Sequence, residues 1–184
     1  MSGNMNAHLR RAVEADAEAI AALHVRSWQY AYRGQLPDSF LDHLSNEVDT
    51  RIDFWRTHIA TSYSGRHEIW AIDVDAQLNG FAALGPARDD KMDSASELYA
   101  IYVDPDRWRR GLGSELLAHA ARRFIGLGYS AAILWVLESN LRARRFYERA
   151  GWTLDGGTKT ENLPDGTELH EVRYRTSFDR KNRK

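Results

Sequence analysis

Hydrophobic positions in the first third of the chain recur at intervals of three and four residues, the period of a helix with one buried face. A short strand over 8–13 precedes them. The pattern predicts a first helix that is capped by Asp16 and ended by Gly34. Two further helices are predicted near 38–44 and over 48–59, and these early helices are rich in aromatic side chains.

From residue 68 onward the apolar period shortens to two, which is typical of strands. Strands are predicted over 68–74 and 78–84, and the turn between them makes a hairpin. A third strand over 96–103 is followed by an amphipathic helix over 112–127 and a buried strand over 131–137. A strand, a helix and a strand in succession favour a right-handed crossover with parallel pairing of the two strands.

The last part of the chain begins with a helix for which Asn140 is the predicted N-cap and Gly151 the C-terminal glycine. A short strand over 152–154, a glycine-rich polar loop over 155–166 and a final alternating strand over 168–178 complete the pattern. We therefore expect one domain over 1–184, with its core at about 8–178 and flexible ends.

The junction between the third strand and its helix has the sequence RRGLGS, residues 109–114. Amides in the first turn of a helix have no internal partners, and glycines let a phosphate approach them. Arg107, Arg109 and Arg110 add positive charge, so a diphosphate suits this turn. The structural alternative is a tight turn with solvated arginines. Leu116 stands where a dinucleotide fingerprint has its third glycine, which argues against that motif.

Composition narrows the classes of function. The chain has 25 Lys and Arg against 26 Asp and Glu, a formal net charge of -1, so its charge favours neither nucleic acid nor an anionic membrane. The chain has no cysteine, which excludes disulfides and a thiol nucleophile, and its seven histidines follow no metal-ligand spacing. No apolar run resembles a signal or a membrane span, so we expect a soluble cytoplasmic protein without a metal.

Two motifs in this order and spacing resemble the GNAT superfamily of acyl-CoA-dependent N-acetyltransferases. They are VDP at 103–105 followed by RRGLGS, and then Asn140 followed by FYERAGW at 146–152. The resemblance implies a mixed α/β (α+β) fold, with a mostly antiparallel sheet of six to seven strands. This sheet splays at its central parallel pair and is flanked by about four helices. The resemblance also implies acetyl-CoA as cosubstrate and a homodimer as the candidate assembly.

The family's coenzyme contacts transfer to matching positions of this chain. The glycine turn would hold the pyrophosphate through its amides, and the backbone of the preceding strand would hold the pantetheine arm and the thioester carbonyl. On the later helix, Asn140, Ala143 and Tyr147 are spaced i, i+3 and i+7, so they share the side of the helix that would line the pantetheine arm. Trp108 differs from the family, which often has Gln or Arg there. The expected coenzyme-binding residues are Ile101, Tyr102, Val103, Arg109, Arg110, Gly111, Leu112, Gly113, Ser114, Asn140, Ala143 and Tyr147.

Acetyl transfer needs a base for the ammonium, donors for the oxyanion and an acid for the departing sulfur. By resemblance Tyr147 is the acid, although a packing role is the alternative. Glu97 is the first candidate for the base, against a role as a solvated or paired carboxylate, and His24 and Glu138 remain open. The family also has a base position on the next strand, where this chain has Trp135.

The aromatic residues of the first helix are candidates for the acceptor pocket, Trp28 and Tyr32 in particular, although each also suits a core position. The sequence thus favours an N-acetyltransferase in which a primary amine attacks acetyl-CoA directly in a ternary complex. The acceptor would be a small molecule, with a peptide amine as an alternative. A catalytically silent acyl-CoA-binding module is the competing hypothesis.

Overall fold

In the residues that the computed structural model describes (7–63, 65–89, 92, 94–163 and 166–178), seven strands form one sheet and five α-helices pack against it. The termini that were expected to be flexible lie largely outside these residues. The strands are β1 (Ala7–Arg11), β2 (Glu68–Val74), β3 (Gln77–Pro86), β4 (Ser96–Val103), β5 (Ala131–Leu137), β6 (Thr153–Asn162) and β7 (Glu168–Ser177). The helices are α1 (Ala17–Tyr32), α2 (Asp38–His43), α3 (Val48–Ser62), α4 (Leu112–Gly126) and α5 (Leu141–Arg149).

The sheet has the order β1-β2-β3-β4-β5-β7-β6. Its neighbours are antiparallel except for β4 and β5, which are parallel because α4 crosses between them. The parallel pairing covers only Ser96–Leu98 opposite Ala132–Leu134. Beyond it the two strands part, and we call the space between them the gap. The expected fold class, including the splayed parallel pair, is confirmed.

Apolar residues alternate along the strands and cover both faces of the sheet. One face, which we call the back, packs on α4 and α5 through side chains such as Leu98, Leu134 and Tyr147. The other face, the front, packs on α1 and α3 through Phe81 and Ile59, and on α1 and α2 through Leu137. The gap therefore lies between two helical layers.

Two predictions of local structure are wrong. The glycine-rich segment 155–166 is not a loop throughout, because β6 extends to Asn162 and pairs with β7 across a register shift. Its side chains are mostly exposed on this edge strand, so no hydrophobic alternation marks it. Asp16 does not cap α1 with its side chain. Its carboxylate instead accepts hydrogen bonds from the Val13 amide at 2.8 Å and the Arg10 guanidinium at 2.7 Å.

Candidate active site

Backbone groups of β4 point into the gap. The Asp104 amide donates to the Asn79 carbonyl on the β3 side at 2.9 Å. Because the carbonyl of Val103 belongs to the same peptide, it points the opposite way, into the gap. By the alternation of a strand, the N–H groups of Val103 and Ile101 face the gap as well, whereas the backbone of Tyr102 faces β3. Ile101 and Val103 are thus placed to offer backbone groups, and Tyr102 its side chain.

The glycine turn lies where β4 leads into α4. Gly111 has φ +88° and Arg109 has φ +62°, so two residues of the turn adopt the left-handed conformation. The first helical bond runs from the Glu115 amide to the Gly111 carbonyl at 3.0 Å. The amides of Leu112, Gly113 and Ser114 precede that bond and have no helical partner.

These features together fit an anion. The three amides sit at the positive end of the α4 dipole, and the side chains of Arg109 and Arg110 are exposed beside them. The nearest neighbours of a Cβ added to Gly113 would be Phe146, at 3.5 Å, and Val103, at 3.8 Å, which are ordinary van der Waals distances. The surrounding protein therefore does not require a glycine there, which favours close approach of a ligand as the reason for it. The diphosphate of coenzyme A suits this donor set.

The α5 helix holds the far side of the gap. The Asn140 side chain accepts a hydrogen bond from the Ala143 amide at 3.0 Å, so the predicted cap is confirmed. One turn later, Tyr147 is buried against Phe146 and Trp152, with ring centroids 5.3 Å and 6.3 Å away. Burial raises the pKa of Tyr147, and the neighbouring Tyr32 raises it further. The phenol is therefore neutral and keeps its proton at pH 7.

Three tyrosine side chains converge on the gap from three elements. The Asn140 amide donates to the Tyr32 hydroxyl at 3.4 Å, and the Trp28 indole donates to the Tyr102 hydroxyl at 2.8 Å. Burial raises the pKa of Tyr102, with smaller contributions from Tyr32 and Tyr147. The phenols of α1, β4 and α5 thus lie close enough to influence one another. Of the candidates, Trp28 and Tyr32 are in contact, with ring centroids 5.0 Å apart, and Tyr147 interacts with Tyr32 electrostatically.

Trp108 lies across the outer end of the gap. Its indole N–H donates to the Val103 carbonyl at 2.7 Å, which occupies one of the backbone acceptors described above. The Arg142 guanidinium lies 3.2 Å from the centroid of the indole, and the Tyr30 ring meets it edge-on at 4.8 Å. Residues from α1, from the segment just before the glycine turn and from α5 therefore contact one another here. A carbonyl oxygen has two lone pairs, so a ligand donor could share this acceptor with the indole N–H.

Glu97 is held in a different setting from the one expected of a base. Its carboxylate is 1% exposed and accepts hydrogen bonds from the Arg88 amide at 2.9 Å and the Arg88 guanidinium at 2.5 Å. Its backbone lies opposite Ile133, in the part of β4 that still pairs with β5. These contacts favour a structural ion pair. The role of Glu97 as base stays a prediction from the sequence.

The other candidate bases lie in contrasting surroundings. His24 packs on Tyr102 with centroids 4.8 Å apart, and its Nδ1 accepts a hydrogen bond from the Trp55 indole at 3.3 Å. Burial lowers the pKa of His24 to about 3, and the charge of Arg51 contributes. The imidazole is therefore neutral but only weakly basic. Glu138 is exposed just after β5.

The sequence pattern does not mark Glu171, on β7, as a candidate site residue. It lies opposite Leu137 of β5, on the front face, and its side chain is 17% exposed. Burial raises the pKa of Tyr32, and the negative charge of Glu171 adds to this shift. The buried Leu169 and residue 171 lie on the same face of β7, so the alternation of the strand predicts an apolar residue at 171. A glutamate at that position was the signal that could have identified it.

The described residues also bear on metal binding and on membrane insertion. Within them, no group of three or more His, Asp or Glu side chains is arranged to hold a metal ion. None of their helices is long and apolar enough to cross a membrane.

Known proteins resemble this chain in sequence. Residues 18–152 match the family model described as the Acetyltransferase (GNAT) family. An uncharacterized N-acetyltransferase of Bacillus subtilis (strain 168), YuaI, is 34% identical over 132 residues, which cover 72% of each protein. A probable N-acetyltransferase of Mycobacterium tuberculosis, Rv2775, is 27% identical over 172 residues, or 92% of this chain and 93% of that protein.

The fold comparison agrees with the sequence comparison. The crystal structure of the PaiA N-acetyltransferase of Thermoplasma acidophilum, in complex with coenzyme A, superposes with a TM-score of 0.74. The match covers 95% of this chain and all of that chain at 19% identity, so it is a likeness of fold. The family match spans β4, the glycine turn, α4, β5 and α5, the elements that surround the gap. This chain belongs to the GNAT family of acetyltransferases.

Proposed function

We propose that this acetyltransferase moves the acetyl group of acetyl-CoA to the primary amine of a small molecule, by direct attack within a ternary complex. The observation that carries the proposal is the convergence of the Tyr32, Tyr102 and Tyr147 side chains on the gap. In a GNAT fold this gap is where the thioester would lie. Polar groups therefore surround the place at which bonds would form and break.

Most of the proposed coenzyme contacts are made by backbone groups. The amides of residues 112–114, with Arg109 and Arg110 beside them, would bind the diphosphate. The pantetheine arm would follow Ile101 and Val103 along the open edge of β4, with Asn140 and Ala143 on its other side. An N–H of β4 that faces the gap would stabilise the oxyanion, because such a donor is fixed before charge develops.

The reaction itself has two bond changes. The amine nitrogen forms a bond to the thioester carbonyl carbon, and the carbon–sulfur bond then breaks. The sulfur leaves as a thiolate and ends as a thiol, while the amine loses a proton to a base. Tyr147 would donate to the departing sulfur because burial keeps its phenol protonated. The chain has no cysteine to form an acyl-thioester enzyme, which favours direct attack.

The acceptor would enter from the front of the gap. Trp28 and Tyr32 of α1 and Tyr102 of β4 face this side and are joined by hydrogen bonds and edge-on ring contacts. Aromatic walls with a few polar tips suit a small amine with an apolar stem. A peptide amine is the alternative acceptor, and the panel of amines and peptides described below distinguishes the two.

The first prediction concerns Tyr147→Phe. We expect kcat to fall by about 100-fold, since general acid catalysis is typically worth 10²–10⁴, with little change in the KM for acetyl-CoA. The measurement is thiol release from acetyl-CoA over a panel of primary amines, amino acids and short peptides. Tyr129→Phe is the matched control, because the Tyr129 hydroxyl is also buried and has no partner in the described part of the chain.

The kinetic pattern tests direct attack. A ternary complex gives intersecting double-reciprocal lines, whereas an acetyl-enzyme gives parallel ones. Equal turnover by wild type and Tyr147→Phe would reject the acid role. Binding of acetyl-CoA with no turnover on any amine would reject the enzymatic proposal and leave the acyl-CoA-binding module.

A further inference from the structure

Charged side chains surround the indole of Trp135 on the front face. The Lys159 ammonium lies 4.8 Å from the ring centroid, and the Arg173 guanidinium lies 5.4 Å from it. Lys159 Nζ is also 2.8 Å from a Glu171 carboxylate oxygen. An ammonium group thus rests between an aromatic face and a carboxylate, which together favour an organic cation.

This arrangement adjoins the front of the gap. Glu171 lies opposite Leu137, which packs in the same cluster as Tyr32 and Trp28. Trp135 is two residues before Leu137, so both side chains share the front face. Glu171 also adds to the effect of burial in raising the pKa of Tyr32. The carboxylate therefore lies toward the proposed acetyl site, and Lys159 reaches it from the edge strand β6.

The two cations on the ring differ in how firmly they are held. Arg173 is 15% exposed and forms ion pairs with both Asp89 and Asp155. Lys159 is 39% exposed and, among the described residues, pairs with Glu171 alone. Its flexible stem adopts other rotamers readily, and a half-exposed ion pair of this kind is weak. Lys159 can leave the ring, whereas Arg173 is fixed.

We propose that Glu171 and Trp135 form the binding site for an aliphatic ammonium group of the acceptor, and that Lys159 occupies this site until the acceptor displaces it. This inference rests on the proposed function and assigns its substrate class, a cationic alkylamine. An anionic acceptor would meet the carboxylate and be disfavoured. Lys159 acts as an internal competitor for the site.

Substitutions of the two partners of this ion pair should change pentylamine binding in opposite directions. Lys159→Met removes the competitor, so pentylamine, which copies the lysine stem and ammonium, should bind about fivefold more tightly. Glu171→Gln removes the counter-charge, so pentylamine should bind about tenfold more weakly. Calorimetric titration of the CoA-loaded protein measures both, with pentanol as the uncharged probe that should not respond to either change.

If the ion pair only held β6 to β7, both variants would break it and shift binding in the same direction, which would overturn the inference. The surface pair of Asp53 and Arg56, 2.8 Å apart on α3, provides controls as Asp53→Asn and Arg56→Met. No binding of pentylamine to a wild type that turns over other amines would also overturn it. A wild type that turns over no amine defeats the proposed function instead, so the two failures are distinguishable.

Discussion

At the residue scale, the surroundings of one carboxylate separate a structural role from a catalytic one. Arg88 binds Glu97 through both its amide and its guanidinium, and the carboxylate is almost fully buried. We expect Glu97→Gln to lower the free energy of unfolding by about 2 kcal/mol, because hydrogen bonds to a charged group are lost. Turnover should change little.

The two measurements for Glu97→Gln are thermal unfolding and steady-state kinetics on the same preparation. Glu161→Gln, an exposed carboxylate on β6, is the control and should change neither. If turnover by Glu97→Gln instead fell by about 100-fold while its stability matched that of the wild type, the assignment of Glu97 as the base would be supported.

At the element scale, the two glycines of the turn have different reasons to be there. Gly111 has φ +88°, and Gly111→Ala should lower the free energy of unfolding by about 1 kcal/mol because an L residue is strained there. Gly113 lies inside the first turn of α4 with room for a Cβ. Gly113→Ala should therefore stabilise the free protein by about 0.5 kcal/mol but weaken coenzyme binding, because the methyl group would meet the diphosphate.

Thermal unfolding and calorimetric titration with CoA check both signs. Each variant serves as the control for the other, since only Gly113→Ala should raise the free energy of unfolding while it weakens the binding of CoA. Full coenzyme affinity in a folded Gly113→Ala protein would show that the diphosphate does not approach the first turn of α4.

At the scale of the whole molecule, the acid stability of the fold depends on His24. Its folded pKa is about 3 because it is buried, with a contribution from Arg51, whereas an unperturbed histidine titrates near 6.5. Below pH 6.5 the unfolded chain therefore binds a proton that the folded protein does not. Stability should fall as the pH drops from 6.5 toward 3, by at most about 1.4 kcal/mol per pH unit from this group.

Denaturant unfolding at several pH values measures that slope. His24→Gln retains an acceptor for the Trp55 indole and should flatten the slope in this window, and His8→Gln, at an exposed position of β1, is the control substitution. Equal slopes for wild type and His24→Gln would mean that His24 takes up its proton in the folded protein.

Most of the element order, and the likeness that identifies the family, can be predicted from local patterns in the sequence. The glycine turn, the Asn140 cap and the helical and strand periods depend on a few neighbouring residues, so a local pattern suffices to predict them. The pattern failed at β6, where an exposed edge strand has no apolar face.

Which side chains meet depends on the way the chain folds and cannot be predicted from local patterns. The Asn140 amide and the Tyr32 hydroxyl are 108 residues apart in the chain, and Glu171 and Lys159 meet only because β6 and β7 pair in that register. Whether a carboxylate such as Glu97 faces solvent or an arginine depends on burial and on the partner the fold supplies. The pKa values and the ion pairs of the site therefore depend on the folded structure, because electrostatic interactions depend on distance and burial rather than on order along the chain.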